Sequence, residues 1–251
     1  MTTLAKVSIL SIPAKLQNGD DIMHPVVIWD DMQAILVDTG LPGAAEQIAG
    51  AMYAAGVSLS LLTHIVLTHA DTDHIGSLGR LLSMAPQSVS ILCHAQEKPY
   101  IQCDVPPLRL AKMEERVDKL SGEQHAQLLA LVQSLRANYK SLGVPVTGTV
   151  EDGQLLPCGI QVVYTPGHTP GHISLYLKSS RMLIAGDALN VTGGELLSAP
   201  DWFLYDRTAM QASLRKLASY DIETVVCYHG GVYRGDVHFR LQELATRYFN
   251  R

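Results

Sequence analysis

Four apolar runs in this chain each end in a histidine or an aspartate, and that recurrence restricts the fold more than any other feature. His69 follows Ile65-Val66-Leu67, His168 follows Ile160-Gln161-Val162-Val163-Tyr164, Asp187 follows Leu183-Ile184-Ala185-Gly186, and His229 follows Val225-Val226-Cys227-Tyr228. Short apolar runs bounded by turn residues read as buried strands. Polar groups at strand ends sit on loops over a rigid scaffold, where binding sites collect. Taken singly, each is an ordinary loop residue; together they call for a fold that brings several strand ends to one edge. The first run opens the segment His69-Ala70-Asp71-Thr72-Asp73-His74, with four potential metal ligands in six residues. The spacing H-x-D-x-D-H can aim side chains in two directions from one tight loop, as a pair of metal ions a few Å apart requires.

Composition bounds the class. Hydrophobic residues make up 47% of the 251 positions and charged residues 17%, enough apolar material for a sizeable core. With aromatics at only 6%, that core must rest on Leu, Val, Ile and Ala. A net charge of −5 argues against a nucleic-acid binder, which usually carries a basic stripe. Cys93, Cys103, Cys158 and Cys227 are scattered without C-x-x-C spacing, so buried free thiols are expected rather than a disulfide framework. Met1 to Gln17 has one short apolar run broken by Pro13 and Lys15 and does not read as a signal peptide. No apolar stretch approaches the ~20 residues of a membrane span. A cytoplasmic protein with a small-molecule substrate, no nucleic acid and no membrane is the expectation.

Val26-Val27-Ile28-Trp29 and Ala34-Ile35-Leu36-Val37 predict a hairpin, the second strand ending in Asp38-Thr39-Gly40. Helices are expected over Ala44 to Ala55, Ile75 to Met84, Arg207 to Ser219 and Arg240 to Phe249. Strands are expected over Thr63 to Thr68, Val89 to Cys93, Gly159 to Tyr164, His172 to Leu177, Met182 to Ala185 and Thr224 to Tyr228. Between Pro106 and Ser141, Leu110, Met113, Val117 and Leu120, then Leu128, Leu131, Val132 and Leu135, have helical spacing. They predict a two-helix insertion at about 106–141 that serves as a packed layer, a lid over the site or the contact of a homo-oligomer. The two halves share a rhythm of strands, ligand-bearing loop and helix. The reading is an α/β (α+β) chain, one αββα sandwich over residues 1–251.

The motif run Asp38-Thr39-Gly40, His69-x-Asp71-x-Asp73-His74, Pro166-Gly167-His168, Gly186-Asp187 and His229 resembles that of the metallo-β-lactamase superfamily. The resemblance spans roughly Val26 to Gly231. It looks nearest to the small bacterial hydrolases of that group, on Thr165-Pro166-Gly167-His168-Thr169-Pro170-Gly171-His172 and Tyr228-His229-Gly230-Gly231. It implies two metal sites, one of His69, Asp71 and His168 and the other of Asp73, His74 and His229, with Asp187 bridging. Nitrogen and oxygen donors suit two divalent ions, Zn²⁺ first, with Mn²⁺ or Fe as alternatives.

Asp71 departs from the commoner pattern, which has histidine there. If it ligates, three carboxylates face the ions and the preference moves toward Mn²⁺ or Fe²⁺. If it falls short, the first site weakens. The completeness of the other ligands favours ligation. Asp38 reads as the residue that orients a ligand histidine by accepting its other N–H, against a plain turn role before Gly40. An aspartic-protease reading of Asp38-Thr39-Gly40 needs a second such loop or a homodimer, and the chain has no second Asp-Thr-Gly. His172 competes with His168 but opens the next strand, so it is expected to be packed or to support a ligand. His24, His64, His94 and His238 have no clustered partner, although His94 also follows a strand. Tyr205, Tyr228 and Tyr233 could each donate to an oxyanion.

The chemistry expected is hydrolysis by a metal-bound hydroxide attacking a carbonyl or phosphoryl centre, with Asp187 and Asp73 as catalytic groups and Asp73 assisting proton transfer. No Gly-x-Ser-x-Gly, Gly-x-Gly-x-x-Gly or Walker loop offers another route. Esters or lactones are the first-choice substrates. Thioester hydrolysis of the glyoxalase II type is the alternative, and a non-catalytic metal-binding protein with a drifted site is the rival of a different class.

Overall fold

The computed structural model describes residues 5–16 and 19–247. The first half runs β1 (Lys6–Ile9), β2 (Ile12–Leu16), β3 (Gly19–Met23), β4 (Val26–Trp29), β5 (Ala34–Val37), α1 (Ala45–Ala54), β6 (Leu62–Val66), α2 (Thr72–Ile75), α3 (Leu78–Met84) and β7 (Ser90–His94). Three helices follow, α4 (Lys98–Ile101), α5 (Leu108–Val117) and α6 (Gly122–Asn138), before β8 (Gly148–Val150). The second half runs β9 (Leu155–Leu156), β10 (Ile160–Tyr164), β11 (Ile173–Leu177), β12 (Met182–Gly186), β13 (Leu189–Thr192), β14 (Glu195–Ser198), α7 (Arg207–Leu217), β15 (Thr224–Cys227), β16 (Gly231–Tyr233) and α8 (Val237–Arg247). Part of the segment read for a leader, and the expected helix end at Phe249, lie outside the described residues.

Two six-stranded sheets form, in the orders β1-β4-β5-β6-β7-β8 and β16-β15-β12-β11-β10-β9. Val26, Ile28, Ile35, Val37 and Val66 of the first sheet face Val162, Ile173, Leu175, Ile184 and Val226 of the second. The opposite face of the first sheet, with Val27, Leu36 and Ile65, packs on Ile48 and Met52 of α1 and Leu78 and Leu81 of α3. The opposite face of the second sheet, with Val163, Leu183 and Val225, packs on Met210 and Leu214 of α7 and Leu241 and Leu244 of α8. The layers are therefore αββα. Both faces of the inner strands are covered, which is why β4, β5 and β15 read as continuous apolar runs rather than alternating ones.

Strand direction assembles the site. β5 and β6 are parallel, so Asp38 and the His69 loop leave the first sheet at one edge. β12 and β15 are parallel, and β10 runs the same way because two antiparallel steps through β11 separate it from β12. His168, Asp187 and His229 thus leave the second sheet together, at the carboxyl ends where open sheets bind ligands.

The expected hairpin is β4–β5, closed by Asp30, whose carboxylate accepts from the N–H groups of Met32 and Gln33. The helix expected over Ile75 to Met84 begins earlier and divides into α2 and α3. The break falls where Ser77 Oγ donates to Leu41 C=O and accepts from Ala44 N–H, while Gly76 lies against Pro42 so closely that a Cβ would sit 2.3 Å from the proline ring. The ribbons β2–β3 and β13–β14 and the strand β16 carry no strong apolar pattern, and periodicity does not announce them. The helices α5 and α6 pack on each other through Leu110, Val117 and Val132 in a small cluster of their own.

Candidate metal centre

Seven side chains converge where the two sheets meet. Ligand atoms lie within 4.8 Å of one another in three overlapping groups: His69, Asp71 and His168; His69, His74 and Asp187; Asp73, His74 and His229. On one side, Asp71 Oδ2 is 3.4 Å from His69 Nε2 and 3.2 Å from His168 Nε2. On the other, Asp73 Oδ2 is 3.2 Å from His229 Nε2 and 3.8 Å from His74 Nε2. Asp187 stands between them: its Oδ2 is 3.5 Å from His168 Nε2, 3.7 Å from His229 Nε2 and 4.0 Å from His69 Nε2, and its Oδ1 is 3.3 Å from His74 Nε2.

These donors fit divalent cations. The Nε2 atoms of His69 and His74 and Oδ1 of Asp187 are buried and make no well-formed hydrogen bond. Buried polar atoms left unsatisfied are costly and rare. Convergent imidazole nitrogens and carboxylate oxygens are the donor set of Zn²⁺ and related metals.

Several of the outer ring nitrogens are held. Asp38 Oδ2 accepts from His74 Nδ1 at 2.9 Å, and its carboxylate also accepts from the N–H and hydroxyl of Thr68 at 2.8 Å each. Asp38 is buried and has φ +62°, a left-handed conformation that aspartate tolerates better than most residues and that fits the turn into Gly40. Thr68 Oγ1 lies 3.0 Å from His69 Nδ1. Asp21, on β3, lies 3.0 Å from His229 Nδ1.

His172 is not among the converging ligands. Its Nε2 accepts from Asp187 N–H at 3.0 Å and its Nδ1 lies 2.9 Å from Thr165 Oγ1, so it positions the central carboxylate. Burial, then the neighbouring His69 and His168, holds it well below the usual histidine range, which keeps Nε2 an acceptor. Gly186 makes this approach possible: with φ +54°, a Cβ there would stand 2.7 Å from His172 Nε2. Gly230, directly after His229, meets a tighter limit, since a Cβ would lie 1.8 Å from Val191 C=O.

Glu97 emerges only in three dimensions. It is buried, accepts from Ala70 N–H at 2.9 Å and from Gly171 N–H at 2.7 Å, and so ties the His69 loop to the His168 loop. Burial pushes its carboxyl up, against the backbone hydrogen bonds it accepts from Gly171 and Ala70. Nothing in the run Ala95-Gln96-Glu97-Lys98 marks it in the sequence. Arg109, on α5, is the other residue missed: its guanidinium pairs with Asp71 and donates to His168 Nε2 at 2.6 Å. Burial raises the Asp71 carboxyl, but the charge of Arg109, then the adjacent His168 and His69 rings, outweigh it and hold the group well below the usual range.

Tyr228 packs against His74 with the rings tilted by 33° and centroids 3.9 Å apart, and donates its hydroxyl to Asp73 C=O at 2.6 Å, so it supports the loop rather than facing a substrate. Tyr205 is 53% exposed beside the site. His94 stacks on Tyr164, His24 bonds the carbonyl of Tyr228, His64 pairs with Thr63 and His238 with Gln242; none belongs to the cluster. The four cysteines are free thiols, three of them buried.

Comparison with known proteins identifies the family. The family model of the metallo-beta-lactamase superfamily matches residues 20–229. The chain is 31% identical over 231 residues to the probable metallo-hydrolase YflN of Bacillus subtilis (strain 168), covering 85% of this chain and 81% of that one. A shorter stretch of 86 residues is 38% identical to a hydroxyacylglutathione hydrolase of Mesorhizobium japonicum, covering 32% of this chain and 31% of the other. A metallo-beta-lactamase family protein from Thermus thermophilus superposes with a TM-score of 0.71 at 20% identity, over 97% of this chain and 79% of its own. The chain belongs to the metallo-β-lactamase superfamily and is a metal-dependent hydrolase.

Proposed function

We propose that the reaction is hydrolysis of a carboxylic ester or lactone of modest size, at a centre holding two divalent ions. One ion is assigned to His69, Asp71 and His168, the other to Asp73, His74 and His229, with Asp187 shared. Zn²⁺ is the first choice, and the extra carboxylate of Asp71 leaves Mn²⁺ and Fe²⁺ as competitors. The observation that carries the reading is the position of Asp187, whose two oxygens lie 3.3–4.0 Å from four imidazole nitrogens drawn from both sides of the cluster. Ions bound there would lower the pKa of a water and polarise a substrate carbonyl.

The protein's own groups supply the rest. Asp38 and His172 fix His74 and Asp187 before substrate arrives, which is the preorganisation that electrostatic catalysis needs. Asp73 is the most solvent-facing carboxylate of the cluster, its side chain 25% exposed against 12% for Asp71 and Asp187. It is therefore the group assigned to relay the proton given up by the attacking water to the leaving oxygen. α5 and the aromatic residues Trp202, Phe203 and Tyr205 stand at the His168 side, where they favour an acyl substrate with some apolar surface. A soluble, cytoplasmic enzyme is the setting we assign; among the described residues no helix is long and apolar enough to cross a membrane.

The local likeness to a hydroxyacylglutathione hydrolase favours a thioester as the second reading. Metal-reconstituted protein assayed against matched ester, lactone and thioester panels separates the two. Turnover of esters or lactones at least tenfold above thioesters, lost on chelation, supports the proposal. The reverse order replaces it with the thioester, and stoichiometric metal with no turnover on any panel replaces it with a metal-binding role.

A further inference from the structure

The side of the cluster that carries Asp71 is faced by a cation, Arg109, that touches two of the candidate ligand atoms, on Asp71 and His168. Arg109 enters from the first turn of α5, and its guanidinium carbon stands over the ring of half-buried Phe203, 4.3 Å from the centroid. One nitrogen, Nη2, makes both polar contacts, to Asp71 and to His168 Nε2. Among the described residues no acceptor meets its Nε–H or Nη1–H groups, and 30% of the side chain is exposed. One turn along, Lys112 donates to Leu204 C=O at 2.6 Å and stands 5.9 Å from the Tyr205 ring. Trp202, tilted by 32° against Phe203 with centroids 3.6 Å apart, is 66% exposed.

A guanidinium is charged at every working pH and presents its donors as a planar fork matched to carboxylate and phosphate oxygens. Here the guanidinium stands over an aromatic ring, one end touches the ligand cluster, and the remaining donors face solvent at its mouth. The geometry points to Arg109 as the anchor for an anionic oxygen group, a carboxylate or a phosphate, carried by the substrate close to the carbonyl that is cleaved. The exposed faces of Trp202 and Tyr205 would take the apolar arm of the same molecule. Arg109 is then a specificity-determining residue. The identity of the reacting centre rests on the hydrolase reading above; the anion site does not.

A plain ion pair with Asp71 predicts something different, because it would act on every substrate alike. The test compares metal-loaded full-length protein and Arg109→Met on the monoanion of 4-nitrophenyl adipate and on its neutral methyl ester. The wild-type chain should favour the anion about 10- to 100-fold in kcat/KM, mostly through KM, as expected for loss of a hydrogen bond to a charged group. In Arg109→Met that preference should fall to near unity, and Arg109→Lys should restore part of it. Binding of adipate, adipamide and an alkyl phosphonate by calorimetry reads the same site without turnover. Arg109-dependent binding of adipate over adipamide supports the anchor even if no ester is cleaved. Tighter phosphonate than adipate also supports it and assigns the anion to phosphate. An anion preference that is absent in the wild-type chain, or that survives Arg109→Met, overturns it.

Discussion

The Asp71 side and the Asp73 side of the cluster share Asp187 but are held by different means. On the Asp73 side both histidines rest on carboxylates, His74 on Asp38 and His229 on Asp21. On the Asp71 side His69 Nδ1 meets the hydroxyl of Thr68, and among the described residues the buried Nδ1 of His168 has no hydrogen-bond partner. A carboxylate behind an imidazole fixes its tautomer and raises its basicity. The Asp71 side has instead a clamp between loops, Glu97, and a competing cation, Arg109. The two sides therefore differ in what backs their ligand atoms: carboxylates on the Asp73 side, a clamp between loops and a cation on the Asp71 side.

The largest effect should come from the residue both sides use. Asp187→Ala should reduce kcat/KM by on the order of 10²–10³-fold or more and lower metal content at both sites, with the far-ultraviolet circular dichroism spectrum unchanged. Full activity in this variant would refute the shared position. Next, stepwise metal titration should fill the Asp73 side first. Asp38→Ala should weaken that first step by about 10- to 100-fold, measured by calorimetry. Asp21→Ala should weaken it less, about tenfold at most, because Asp21 is 34% exposed and water can replace it. Equal loss in both variants would show that burial of the orienting carboxylate does not matter.

The smallest change should be confined to the Asp71 side. Glu97→Gln sets a side-chain NH₂ against a backbone N–H in a buried site and should cost about 1.5–3 kcal/mol in urea unfolding. It should also weaken the second metal step more than the first, since Glu97 ties the loops of His69 and His168. If both steps weaken alike, the two sides are not independent.

The sequence by itself determined which residues would meet, because each of His69, His168, Asp187 and His229 ends an apolar run and the strand pattern fixes where such residues emerge. It also determined the layers: β4, β5 and β15 are apolar throughout, a pattern that suits strands covered on both faces. Asp-Thr-Gly after a strand is a local pattern, so Asp38 stands out as a candidate; in the fold its carboxylate accepts from His74. The metal titrations above test whether Asp71 and its neighbours act as ligands.

What only the tertiary structure decided is the set of contacts made between segments far apart in the chain. Glu97 lies 27 residues from Ala70 and 74 from Gly171, and Arg109 lies 59 from His168. A lone charged residue in a helical or loop segment has no local signature, since its partner is chosen by how helices and strands dock. Asp21 escaped for the same reason, on a polar ribbon with no apolar alternation to announce it. Periodicity records which face of an element is buried; it carries no record of what a single polar side chain will meet there.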